Sequence, residues 1–168
     1  MNSSSNKPAT VLSVDTATEV CSVALMHGGQ VDHRYVETAR DHSSLVLGMV
    51  DELLSAAQLS ATDLDGLAFG CGPGSFTGVR IATGVAQGIA LGADCPVVPV
   101  SNLLAIAQRA HREFGATSVL SAIDARMGQV YWGAFTLDDD DRTMRACGDE
   151  AVTNPDSVEL PERGSAGA

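Results

Sequence analysis

Apolar and polar positions change rhythm several times along the chain, and each rhythm predicts an element. Val11-Leu12-Ser13-Val14 reads as a short buried strand that ends in the polar turn Asp15-Thr16-Ala17-Thr18. Cys21 to Met26 reads as a second strand. His27-Gly28-Gly29-Gln30 is a hairpin signal, and Val31 to Val36 is the returning strand. From Ser43 to Ala57 the rhythm becomes helical. Leu45, Val46, Met49, Val50, Leu53, Leu54 and Ala57 recur at three and four residues, while Asp51, Glu52 and Ser55 fill the other face. Asp41 and Ser43 both suit its N-cap.

Strand and helix then alternate. Gly66 to Phe69 predicts a strand, and Phe76 to Leu91 a helix stopped by Gly92. Pro96 to Val100 predicts a strand, and Ser101 caps a helix running to about Phe114. Ser118–Ile123 and Gln129–Phe135 predict two strands around a turn at 124–128. Three strands followed by alternating helices and strands predict a mixed α/β sheet, with parallel pairs where helices cross over. After Leu137 the character of the chain changes. Asp138-Asp139-Asp140-Asp141 reads as a solvated loop rather than a metal site, and residues 154–168 are rich in Pro, Gly, Ser and charge. Residues 1–9 read as a frayed tail.

Composition narrows the function classes. A chain of 168 residues with 45% hydrophobic content can bury a core. A formal net charge of −11 repels a phosphate backbone, so nucleic acid would be contacted mainly through another subunit. The cysteines Cys21, Cys71, Cys95 and Cys147 have neither zinc-ligand nor CxxC spacing, and are expected as reduced, mostly buried thiols of a cytosolic protein. The apolar stretch Phe76–Leu91 carries Arg80, Gln87 and glycines, and is too short to cross a bilayer. His27, His33, His42 and His111 have no histidine partner three to five residues away, which favours surface or capping roles over catalysis.

Three features carry candidate chemistry. Asp15 and Thr16, at the end of a buried strand, could hold a metal-bound phosphate or simply terminate the strand. Gly72-Pro73-Gly74-Ser75-Phe76-Thr77-Gly78 lies between strand and helix. Its glycines would let backbone approach a phosphate at a helix N-terminus. It lacks a Walker lysine, the dinucleotide spacing and the G-x-S-x-G elbow, so a tight strand-to-helix turn is the competing reading. The third is the following helix. Gly84, Gly88 and Gly92 stack on one face, while Gly78, Ala82, Ala86 and Ala90 form a second ridge. An interior helix glycine costs about 1 kcal/mol relative to alanine, so close approach on both sides is expected to offset that cost.

Together these strings resemble a known family. Val11 to Thr18 resembles the opening phosphate motif of the actin-like (ASKHA) ATPase fold. Ala39-Arg40-Asp41-His42-Ser43, Gly72 to Arg80 and Ala122 to Trp132 are similar to the signatures of the TsaB (YeaZ) family, in the TsaD/glycoprotease-like group. The resemblance runs from about residue 10 to 135. It implies a ribonuclease H-like first lobe at 10–115 and a partial, truncated second lobe at 116–168, whose acidic C-terminal part is poorly ordered. The family normally continues beyond Ala168.

The resemblance also implies a role. TsaB is the non-catalytic partner of TsaD, which transfers a threonylcarbamoyl group from an adenylate made by TsaC to an adenosine next to the tRNA anticodon. TsaE joins the pair as an ATPase. The chain is therefore expected to be a cytoplasmic scaffold and activator, heterodimeric with TsaD, homodimeric when free, and touching tRNA only through the complex. The family's catalytic subunit binds metal through a His-x-x-x-His pair that falls here on Asn102 and Ile106, so neither a metal nor catalytic residues are expected. No cofactor is expected, and Asp15, Thr16, Gly72, Gly74 and Ser75 would be a vestigial nucleotide site at most. Met49, Leu53, Val79, Thr83, Gln87 and Gly88 are expected on the partner face. A glycoprotease-like peptidase and a degenerate ATPase of the actin-like fold remain as alternatives.

Overall fold

The structure, a computed structural model, describes residues 8–38, 41–138 and 142–159. They fall into two units. The first takes the chain to Cys71 and then Ser75–Val100; the second takes Gly72–Gly74 and everything from Ser101. Residues 101–115, which the sequence reading set with the first lobe, group here with the second unit.

In the first unit, β1 (Val11–Asp15), β2 (Val20–His27) and β3 (Gln30–Glu37) form an antiparallel meander. β4 (Gly66–Gly70) and β5 (Val97–Val100) then add in parallel, giving the order β3-β2-β1-β4-β5. The parallel additions follow from the crossover helices. α1 (His42–Ala56) links β3 to β4, and α2 (Phe76–Ala93) links β4 to β5. The β2–β3 turn places Gly28 and Gly29 at φ of 58° and 80°. Two left-handed residues make the type I′ turn whose twist matches the strands, and glycine adopts it without a Cβ penalty.

The core of this unit comes from one face of the sheet. Alternation brings Leu12 and Val14 of β1, Cys21, Val23 and Leu25 of β2, and Leu67 of β4 to the buried side. Against them α1 sets Val46, Met49, Val50 and Leu53, and α2 sets Ala82 and Ala86. Burial pushes the Cys21 thiol up from its ordinary range, and the nearby Asp15 charge adds to the rise. Cys71 and Cys147 are exposed, so the expectation of mostly buried cysteines is corrected.

In the second unit, α3 (Asn102–Phe114) packs on a sheet built from β6 (Ser118–Arg126) and β7 (Gln129–Leu137). Two three-residue strands, β8 (Met144–Ala146) and β9 (Ala151–Thr153), share the other edge of β7. Leu103 and Ala107 of α3 meet Phe135 and Met144, which is why α3 groups with the later strands. β8 and β9 lie in a stretch for which the sequence predicted no element. The expectation of a poorly ordered acidic tail falls partly on 139–141 and 160–168, outside the described residues. The same holds for residues 1–7 of the frayed start. Among the described residues no helix is long and apolar enough to cross a membrane.

Candidate functional site

The end of β1 and the start of α2 are joined by hydrogen bonds of a specific kind. Thr16 is fully buried, and its hydroxyl donates to the Gly78 carbonyl at 2.6 Å. The Ser75 amide donates to the Ala17 carbonyl at 2.7 Å. The Ser75 hydroxyl accepts from the Gly78 amide as the N-cap of α2. The Asp15 carboxylate accepts from the Ala17 amide at 2.7 Å, shaping the turn. Three expected phosphate-binding residues of this unit (Asp15, Thr16 and Ser75) thus have polar atoms engaged in holding the turn to the helix.

Gly78 makes that junction sterically feasible. A Cβ placed there would lie 2.9 Å from the Thr16 carbonyl carbon and closer still to its oxygen. The helix and the turn touch backbone to backbone. The last glycine of the Gly72–Gly78 string therefore has a packing reason that needs no phosphate.

Gly72 and Gly74 belong to the second unit. There Gly72 and Asn102 bond reciprocally. The Gly72 amide donates to Asn102 Oδ1 at 3.3 Å, and the Asn102 amide donates to the Gly72 carbonyl at 2.8 Å. Ser101 caps α3 by accepting from the Leu103 and Leu104 amides, and its hydroxyl also donates to the Glu150 carboxylate. That carboxylate suits the positive end of the helix. Asn102 is buried, whereas Ile106 is exposed. An amide already bonded to a backbone N–H and an aliphatic side chain do not fit a transition metal. Among the described residues no group of three His, Cys, Asp or Glu side chains could hold one. Replacing Asn102 with alanine is expected to leave the buried Gly72 amide unpaired and to cost about 1–3 kcal/mol. Hydrogen exchange at the Gly72 and Asn102 amides would report the loss.

The histidines serve local structure. His42 is buried, and its Nε2 lies 2.9 Å from the Thr18 carbonyl, holding the first turn of α1 to the β1–β2 turn. His27 Nδ1 is 3.0 Å from the Thr10 hydroxyl, and His111 Nδ1 is 3.0 Å from the Ala116 carbonyl. Burial of His42 was not anticipated. Its position in the first turn of a helix whose apolar stripe begins at Leu45 was the available signal.

The two helices of the first unit separate core from surface sharply. In α2 the ridge Gly78, Ala82, Ala86, Ala90 is buried against the sheet. Gly84, Gly88 and Gly92 lie exposed, with nothing within 4 Å of a Cβ built on any of them. Gly48 on α1 is equally open, beside exposed Leu47. Leu91 and Phe76 are exposed as well, and the Arg80 guanidinium stacks over the Phe76 ring at 3.3 Å from its centroid. The expected partner face divides accordingly. Gln87 and Gly88 are exposed, and Val79 and Thr83 are half-buried. Met49 and Leu53 are 6% and 1% exposed, so they belong to the core and not to a docking surface. Their three-and-four spacing with Val46 and Val50 already places them on the stripe that α1 buries.

The meander, two crossover helices and parallel strands of the first unit define a ribonuclease H-like lobe of the actin-like (ASKHA) fold. The family model described as "TsaD: tRNA N6-adenosine threonylcarbamoyltransferase" matches residues 36–166. Of solved structures, YeaZ from Pseudomonas aeruginosa superposes with a TM-score of 0.86 at 49% identity, over 91% of this chain and 71% of that one. Among curated relatives, "tRNA threonylcarbamoyladenosine biosynthesis protein TsaB" of Escherichia coli is 52% identical over 129 residues, which is 77% of this chain and 56% of the relative. The Haemophilus influenzae protein of the same name is 51% identical over 123 residues, 73% of this chain and 52% of the relative. The chain belongs to the TsaB/YeaZ family. It spans about half the length of these curated relatives.

Proposed function

We propose that the chain is a non-catalytic scaffold and activator in the synthesis of threonylcarbamoyladenosine in tRNA, and that it works by binding a TsaD-type catalytic subunit in the cytoplasm. The observation that carries this reading is the use made of α3. The two positions that the sequence resemblance matches to a catalytic subunit's metal ligands hold Asn102, engaged with the Gly72 backbone, and Ile106. A protein whose relatives are named for this modification, with such a pair at those positions, fits a supporting role better than a catalytic one.

The net charge of −11 argues that tRNA is held by the partner, with this chain contributing no phosphate-binding surface of its own. The exposed small-residue face of α2, with Gly84, Gln87, Gly88 and Leu91, together with Leu47 and Gly48 of α1, is the docking surface in this proposal. Open glycines let a partner helix approach closely, which gains dispersion contacts over a flat area. A TsaE-type ATPase would join the pair, and the free chain would use the same face to form a homodimer.

Reconstitution tests the reading. The TsaD-type subunit of the same organism is expected to copurify with this chain and to modify tRNA at least about tenfold faster in its presence, a difference of about 1.4 kcal/mol in the barrier. The chain alone is expected to modify nothing. A chain that binds no such subunit, yet hydrolyses peptide or ATP by itself, would overturn the proposal in favour of the peptidase or ATPase reading.

A further inference from the structure

The five-stranded sheet of the first unit ends in two very different edges. β5 is four residues long and contains Pro99, which has no N–H to offer. That is a usual way to close an edge. β3 at the other end is eight residues long, contains no proline, and is exposed along its whole length. Val31 and Tyr35 are 62% and 65% exposed, and the Tyr35 ring stacks on His33 at a centroid distance of 6.0 Å.

The register of the β2–β3 ladder fixes the direction of the free backbone groups. His27 pairs with Gln30 across the two-residue turn, and the Thr38 amide donates to the Glu19 carbonyl at 2.7 Å in the same register. Even-numbered residues of β3 therefore form the hydrogen-bonded pairs with β2. The N–H and C=O groups of Val31, His33 and Tyr35 point outward from the edge, because bonded and non-bonded pairs alternate in an antiparallel ladder.

We propose that β3 is a self-pairing edge, and that its partner is β3 of a second copy of this chain, antiparallel about a two-fold axis at His33. The charges select this register. Centred on His33, Asp32 of each copy faces Arg34 of the other, and Val31 faces Tyr35. Centred one residue earlier, Asp32 would face Asp32; one residue later, Arg34 would face Arg34. Directly opposed like charges are destabilising and opposed unlike charges stabilising. Centres further out shorten the ladder.

The His33 register also satisfies the backbone. Val31, His33 and Tyr35 become the hydrogen-bonded pairs, with two bonds at each of three positions, so the groups that point outward are the groups that pair. Asp32 and Arg34 become the non-bonded pairs, where side chains approach more closely. Arg34 lies 3.6 Å from Glu52 of α1 in the single chain, an exposed ion pair of little strength that can be shared with the incoming Asp32. The contact is isologous, so taken by itself it closes at two copies. Its surface is distinct from the glycine face of α2, and it does not depend on the function proposed above.

The test uses the whole chain carrying Gly88→Arg, which removes association through α2. Sedimentation velocity is expected to show a dimer that forms with rising concentration. Hydrogen exchange is expected to show protection at the Val31, His33 and Tyr35 amides that grows with it. Asp32→Arg alone and Arg34→Asp alone should each weaken the dimer roughly tenfold or more, because like charges then face each other across the axis. An equimolar mixture of the two variants should restore it, because both charged positions of one copy then meet the opposite charge on the other. Amides 32, 34 and 36, which face β2, must stay protected throughout, which separates lost pairing from lost folding. A chain that stays monomeric, or a mixture no tighter than either variant, overturns the proposal. So does protection of amides 31, 33 and 35 that appears only when a TsaD-type subunit is added, since the edge would then serve a different strand.

Discussion

Alanine in place of Gly78 is expected to cost about 3 kcal/mol, at the upper end of what overpacking by one methyl group produces. The added carbon would sit 2.9 Å from the Thr16 carbonyl carbon. What stands in its way is backbone, which cannot swing aside as a side chain tip could. Relief would require α2 to lift from the β1–β2 turn. That movement would break the Thr16 hydroxyl bond to the Gly78 carbonyl and strain the Ser75 amide bond to the Ala17 carbonyl. Thermal unfolding should fall by on the order of 10 °C for a chain of this size. Alanine at Gly84, on the same helix, should do the opposite. Nothing lies within 4 Å of its Cβ, so the variant gains helix propensity worth up to about 1 kcal/mol. Equal effects at the two glycines would refute the view that Gly78 is a packing residue.

That contrast shows what the sequence disclosed and what it withheld. The four-residue spacing of Gly84, Gly88 and Gly92, and of Gly78, Ala82, Ala86 and Ala90, disclosed that α2 has two small-residue faces, and one is buried while the other is open. The spacing did not say that the Gly78 face presses on Thr16, because that contact joins residues 62 apart in the chain. The meander, the two crossover helices and the parallel strands were legible because each apolar rhythm has a single period over at least four residues. β8 and β9 were not, since three residues cannot establish a period and their stability comes from the free edge of β7. The Ser101 cap gave the start of α3 but not its host. Leu103 and Ala107 would suit any apolar sheet, and only the structure pairs them with Phe135 and Met144. The Gly72–Gly78 string was conspicuous for its glycines, yet its chemistry stayed ambiguous because phosphate binding and close backbone packing both call for residues without a Cβ.

Leu53 and Gly88 separate folding from assembly, and opposite outcomes are expected for them. Leu53→Ala removes a side chain that is 1% exposed and packed between α1 and the sheet, so it should cost about 2–5 kcal/mol through lost burial and the cavity left behind. The molecules that remain folded should still bind a TsaD-type subunit with unchanged affinity. Gly88→Arg adds a long charged side chain at an open helical position, and arginine is the better helix former, so unfolding should be unaffected or slightly later. If the glycine face is the docking surface, the same change should weaken binding on the order of 100-fold, about 2.7 kcal/mol. The guanidinium would hold apart two surfaces whose attraction depends on near contact, and would be left desolvated without a partner. Calorimetric titration beside a thermal melt reads both quantities on one preparation. Gly88→Arg binding as tightly as the wild type would remove the α2 face from the proposed assembly, whatever the result at Leu53. The reverse pattern, with Leu53→Ala stable but unable to bind, would restore Leu53 to the interface and contradict the burial from which the core was derived.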